Sequence, residues 1–134
     1  MNTTGIGEIT YECRAKAGVA DAFEWVFVAP VATLYDSGKK VAGKYYAGPT
    51  WEHNDGSRVS GKQLAVSPAQ PGNIPLQLVQ AGPATGQGWM QGVTYIQRHN
   101  TVGGVAPSDA CNAQTSGQRR VVKYQADYAF YKAA

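Results

Sequence analysis

A chain of 134 residues fits one domain and is long enough to bury a single core. Charged residues make up only 16% of it, and 16 Gly, seven Pro and eight Tyr stand where long helices would need Leu, Glu, Lys and Ala. The net charge of +3 is mild and its carriers are scattered, with Lys39-Lys40 and Arg119-Arg120 the tight pairs, so the clustered basic face of a nucleic-acid binder is not expected. The longest apolar run, Trp25 to Pro30, is too short to span a bilayer, so no membrane insertion is expected.

In chain order, residues 1–5 read as a loose terminus with no basic-then-apolar leader. Ile6 to Arg14 reads as a strand, its odd positions apolar from Ile9 onward. Phe23 to Ala29 is a second strand, with Phe23, Trp25 and Phe27 on one face. Pro30, which lacks a ladder donor, is expected to end it or to mark an edge. Val31 to Tyr35 and Lys40 to Ala47 form a hairpin around Asp36-Ser37-Gly38-Lys39. Gly48-Pro49 breaks the second arm. Thr50 to His53 and Arg58 to Val66 form the next hairpin, and Gly61 marks a bulge or a close backbone approach.

Ser67 to Pro75 is a proline-rich loop, Leu76 to Gln80 a short strand, and Ala81 to Gly88 a Gly/Pro/Thr loop. Strand character resumes from Trp89 to Asn100. Thr101 to Gly117 is a long loop, and Val121 to Tyr131 is the cleanest alternation in the chain. Eight or nine strands at short spacing, without an amphipathic helix, give an all-β single domain over residues 1–134. The pattern fits an antiparallel β-sandwich or a β-barrel equally well.

The two cysteines, Cys13 and Cys111, are too far apart in sequence for a CxxC redox pair or zinc-ligand spacing. They read either as two buried thiols or, preferably, as a disulfide tying the first strand to the loop before the last. A disulfide implies an oxidising compartment, secreted or periplasmic.

The blocks ITYECRAK, EWVFVAP-ATLYD, YAGPTWE–DGS, IQR-NTVGGVAP–C and YQADYAFY occur here in an order that resembles a family of small secreted bacterial and fungal proteins, known only as a domain of unknown function. The resemblance runs from about Ile9 to Tyr131. It implies export and supports the Cys13–Cys111 pair, but it brings no reaction. A malate-dehydrogenase label on some fungal relatives does not transfer, because the chain has no GxGxxG after a strand and no βα alternation. The family often has His where this chain has Tyr45, and an apolar residue at His99.

The stretch from Lys44 to Gly61 holds the densest chemistry. Glu52 beside aromatic rings is a candidate general acid or base, against the commoner role of pairing with a neighbouring cation. His53 and His99 are candidate ligands for a transition metal if the fold joins them, although no cofactor is expected. Tyr45, Tyr46, Trp51 and Trp89 could line a ring- or sugar-binding surface, with Arg98 clamping a carboxylate or sulfate, against its commoner role in a cross-strand ion pair with Glu24 or Glu52. Tyr124 and Tyr128 read as ordinary sheet residues. The leading expectation is a module binding a small-molecule or glycan ligand. The alternatives are a small enzyme built on Glu52 and an interaction protein using exposed strand edges.

Overall fold

A computed structural model describes residues 1–133. They form eight strands: β1 (Asn2–Ala15), β2 (Phe23–Tyr35), β3 (Val41–Tyr46), β4 (Thr50–His53), β5 (Arg58–Ser67), β6 (Leu76–Ala81), β7 (Val93–Gly103) and β8 (Arg119–Lys132). Each pairs antiparallel with the next, and β8 pairs with β1, so the sheet closes into a barrel. Closure leaves no edge strand, although β2 before Ala32 and β5 after Ser60 each keep one side unpaired. Between sandwich and barrel, the barrel holds.

Alternation decides what lies inside. On β8, Tyr124, Ala126, Tyr128 and Phe130 are buried while Lys123 and Gln125 face out. An eight-stranded barrel is only just wide enough to be filled by side chains. Large inward rings must therefore face small neighbours. Gly5 is one: a Cβ there would meet the Tyr128 ring at 2.8 Å. Gly7 is another, since a Cβ would collide with the Val31 carbonyl of the adjoining strand.

Three expectations change. The terminus is not loose: β1 starts at Asn2, Thr3 Oγ1 donates to the Tyr128 carbonyl at 3.1 Å, and the Met1 ammonium donates to the Phe130 carbonyl at 3.2 Å. Pro30 does not break a strand. β2 runs through it, opposite Ile9, beside a bulge that skips Val28. β3 pairs with β2 only from Ala32 onward, so Pro30 falls where no β3 carbonyl needs its missing N–H. Trp89 and Met90 are not in a strand either; β7 begins at Val93 and continues to Gly103, with its ladder slipping between His99 and Val102. Gly61 is a point of close approach to β6, while the bulge lies beyond it, between Gln63 and Ala65.

Cys13 and Cys111 are bonded, with their Cα atoms 5.5 Å apart. The bond fastens the β7–β8 loop to the end of β1. Trp25 Nε1 donates to the Asp109 carbonyl at 2.9 Å and Cys13 N–H to the Gln118 carbonyl at 2.9 Å, so the loop is held along its length. A disulfide in a small all-β domain is compatible with an extracellular location.

Candidate functional site

The barrel has two unlike ends. One carries the β2–β3 and β4–β5 turns and the 82–92 connection. Met90, fully buried, plugs it, and Trp89 packs edge-on against Phe130 with ring centroids 6.1 Å apart. Asp55 locks the plug. Its Oδ1 accepts the Ser57 hydroxyl at 2.6 Å and the Ser57 N–H at 2.9 Å, and its Oδ2 accepts the Trp89 N–H at 2.7 Å. Ser57 Oγ in turn accepts the Met90 N–H at 3.0 Å. The Ser57 hydroxyl, then the Trp89 and Ser57 amides, hold the Asp55 carboxyl down to about 2. His53 Nδ1 accepts the Asp55 N–H at 3.1 Å and lies 3.3 Å from Asp55 Oδ2. The His53 ring stacks on Trp89, and the Lys132 ammonium lies 4.2 Å from the centre of the same indole.

The other end is open. The β3–β4 turn, with its cis Gly48–Pro49 bond, and the start of β6 flank a cavity of about 350 Å³. Its apolar lining is Phe27, Val28 and Pro49, which are at least partly exposed, with Pro30, Ile9 and Ile74 buried. Its polar lining is a layer made of the buried phenols Tyr45, Tyr124 and Tyr128 with half-buried Arg98 and Gln77. The ladder explains the layer, since Arg98 stands opposite Tyr128 on one side and Gln77 on the other. Exposure marks the depth: Tyr128 is 0%, Tyr124 4% and Tyr45 6% exposed, against 53% for Phe27 at the rim. Beneath the layer the core is apolar and aromatic, with Trp51 packed on Tyr45 and Tyr128 at 5.0 and 5.9 Å between ring centres.

The layer is polar without being closed on itself. Tyr124 and Tyr128 share one hydroxyl hydrogen bond at 3.1 Å. Arg98 donates from Nε and Nη2 to the Pro75 carbonyl at 3.0 and 2.9 Å. Among the described residues no carboxylate lies within ion-pair reach of Arg98. Gln77 donates from Nε2 to Gln63 at 2.8 Å, but its buried Oε1 has no partner in the protein, and neither does the buried Trp51 Nε1. Burial pushes the phenols of Tyr45, Tyr124 and Tyr128 well above the usual tyrosine range, and the Arg98 charge offsets this only in part. At neutral pH they are protonated donors.

Of the residues singled out from the sequence, Tyr45 and Arg98 line the cavity. Trp51 is core beneath it, and Trp89 belongs to the plug at the far end. Tyr46 and Glu52 face outward: the Tyr46 hydroxyl donates to Glu52 at 2.8 Å, and the Lys44 ammonium lies 3.6 Å from the same carboxylate. Arg98 forms no cross-strand ion pair with Glu24 or Glu52. His53 and His99 sit on β4 and β7, three strands apart, and His99 lies on the outer wall beside Asp127 and Thr4. Among the described residues no group of three or more His, Cys, Asp or Glu side chains gathers as a metal site. Tyr124 and Tyr128, read from the sequence as ordinary sheet residues, and Gln77, not singled out there, also line the cavity. The available signal was an inward Arg on one strand and repeated inward Tyr on another, more polar atoms than a filled core needs.

Comparison with curated proteins and with solved structures finds no match. The sequence blocks that suggested a family do have a counterpart, over nearly the full length of the barrel: the chain belongs to the family described as "Protein of unknown function (DUF3455)", which matches residues 1–132.

Proposed function

We propose that this domain is a secreted or periplasmic carrier or receptor module that takes one small molecule into the open end of its barrel. The cavity carries the reading. Its volume of about 350 Å³ lies at the small end of the range for ligand sites, and an apolar mouth over a few convergent polar groups is their usual make-up. Gln77 Oε1 is ready to accept an O–H or N–H, and the Tyr hydroxyls are ready to donate. A compact ring or short chain with a polar head suits this lining. The Cys13–Cys111 bond supports an extracytosolic setting.

The test is a thermal-shift screen over metabolites and glycans, repeated on Val28→Trp, which sets an indole across the mouth. A ligand at about 100 times its Kd stabilises by about 2.7 kcal/mol, several degrees for a domain of this size. A hit that raises the wild-type Tm and is lost in Val28→Trp supports the cavity. Hits that persist in the variant, or a screen with none, count against it.

A further inference from the structure

We infer that the ligand is a monoanion, an organic carboxylate whose charged head goes down to Arg98 and the tyrosine layer while its apolar body fills the mouth. The inference rests on the binding role proposed for this cavity and adds the chemistry of what enters it.

The first observation is charge. Arg98 is the one charged side chain lining the cavity. Arg98 is half-buried, and a guanidinium there attracts an opposite charge more strongly once a ligand's body excludes water from around it. Here two of its N–H groups meet the Pro75 carbonyl, which supplies a dipole but no charge, and no carboxylate of the described residues reaches it. The fork is thus held in place with N–H groups to spare and one unit of positive charge unanswered.

The second observation is the donor balance. The bond between Tyr124 and Tyr128 uses one of that pair's two protons, which leaves the other for an acceptor. Tyr45 adds a third phenol to the layer. Phenol oxygens can also accept, but with Gln77 Oε1 the only other side-chain acceptor among the described residues of the cavity lining, guanidinium and phenol protons outnumber the acceptor atoms. Such a layer suits a group that accepts at two oxygens. The third observation is order: Phe27 is exposed at the rim, Arg98 is half-buried and the three phenols are buried, so a ligand that enters head first meets the guanidinium and the hydroxyls with its polar group. One cation balances a carboxylate, whereas a phosphate dianion would leave charge unmatched in a largely apolar cavity.

Isothermal titration at neutral pH with octanoate against octanol, and phenylbutyrate against phenylbutanol, separates the alternatives. Displacement of the neutral dye Nile red reports occupancy of the cavity independently of charge. Each carboxylate is expected to bind at least about tenfold tighter than its alcohol. Arg98→Gln should abolish that preference, bringing the acid to the affinity of its alcohol. Arg98→Lys should keep part of it, since the charge remains and the fork does not. Circular dichroism shows whether each variant is folded. The wild-type pairs decide the charge question even if Arg98→Gln does not fold.

Equal binding of acid and alcohol would overturn the anion inference and leave the cavity reading standing. A preference that survives in folded Arg98→Gln would overturn the role of Arg98. If acid, alcohol and dye all fail to bind, both readings fall.

Discussion

The two ends of the barrel use the same kinds of residue to opposite effect. At the plugged end an acid, a hydroxyl, an imidazole and an indole meet, and their polar atoms consume one another. Asp55 spends both oxygens on Ser57 and Trp89, and Ser57 passes the bond on to Met90. At the open end an arginine, three phenols and an amide meet and stay partly unmatched. Ionisable and aromatic residues crowded together do not make a site. A crowd whose donors and acceptors do not balance, beside a void, is the better sign of one.

The ends also differ in how they are held, and the largest expected effect tests this. The open end depends on a covalent bond that closes a loop of sequence separation 98. Replacing both cysteines by serine should cost about 4 kcal/mol in denaturant unfolding, near the chain-entropy value for such a loop. A loss under about 1 kcal/mol would mean that the Trp25–Asp109 and Cys13–Gln118 contacts already hold the loop.

The plugged end depends on packing. Met90→Ala should cost about 2–5 kcal/mol, because a fully buried side chain leaves a cavity that its neighbours only partly fill. Asp55→Asn adds a pH signature. The Asp55 carboxyl is held down to about 2 from an unfolded value of 3.8. Its contribution is therefore fully present above about pH 4 and fades as pH falls through about 2. The Asn variant, whose amide would turn an N–H toward a donor it should accept, should lose stability at pH 7 and show a flatter acid limb in that window. An unchanged acid limb would remove Asp55 from its locking role. On the outer wall, Glu52→Gln should change stability by no more than about 0.5 kcal/mol and leave ligand binding intact. A loss of binding would bring Glu52 back as a functional group.

The strands were legible because their evidence is local. Alternation along Val121 to Tyr131 and the turn residues at Asp36–Lys39 and Asn54–Ser57 need no partner to be read. Closure into a barrel was not, because it depends on Asn2 meeting Ala129 across the whole chain. The 44–61 stretch looked like one site because its chemistry is dense in sequence. On a hairpin, however, successive residues face opposite ways: Tyr45 reaches the cavity, Tyr46 and Glu52 the outer wall, and Trp51 the core. Asp55 lies beyond, at the far end. Tyr124 and Tyr128 read as ordinary sheet residues, and the face they share with Phe130 turns inward. That the layer they belong to borders a void depends on Pro49 and Ile74, which arrive from other parts of the chain.

The sharpest test of the comparison is a small stability effect inside the barrel. Tyr128→Phe keeps the buried ring and removes one hydroxyl from the unmatched layer. If the layer serves a ligand and not the fold, the cost should stay below about 1 kcal/mol, well under that of Met90→Ala. A cost above about 2 kcal/mol would make the hydroxyl structural, and the contrast between the ends would collapse. An alkaline titration followed by tyrosinate absorbance supplies the complementary reading. Burial raises the phenols of Tyr11, Tyr45, Tyr124 and Tyr128, so these four of the eight tyrosines stabilise the fold below about pH 10 and oppose it as pH climbs above. Their absorbance should rise late and together with unfolding. In Tyr128→Phe that late step should shrink by one tyrosine while the alkaline midpoint moves upward, because one buried phenol no longer has to ionise. A midpoint that moves down instead would show that the Tyr124–Tyr128 bond holds the barrel together more than it equips the cavity.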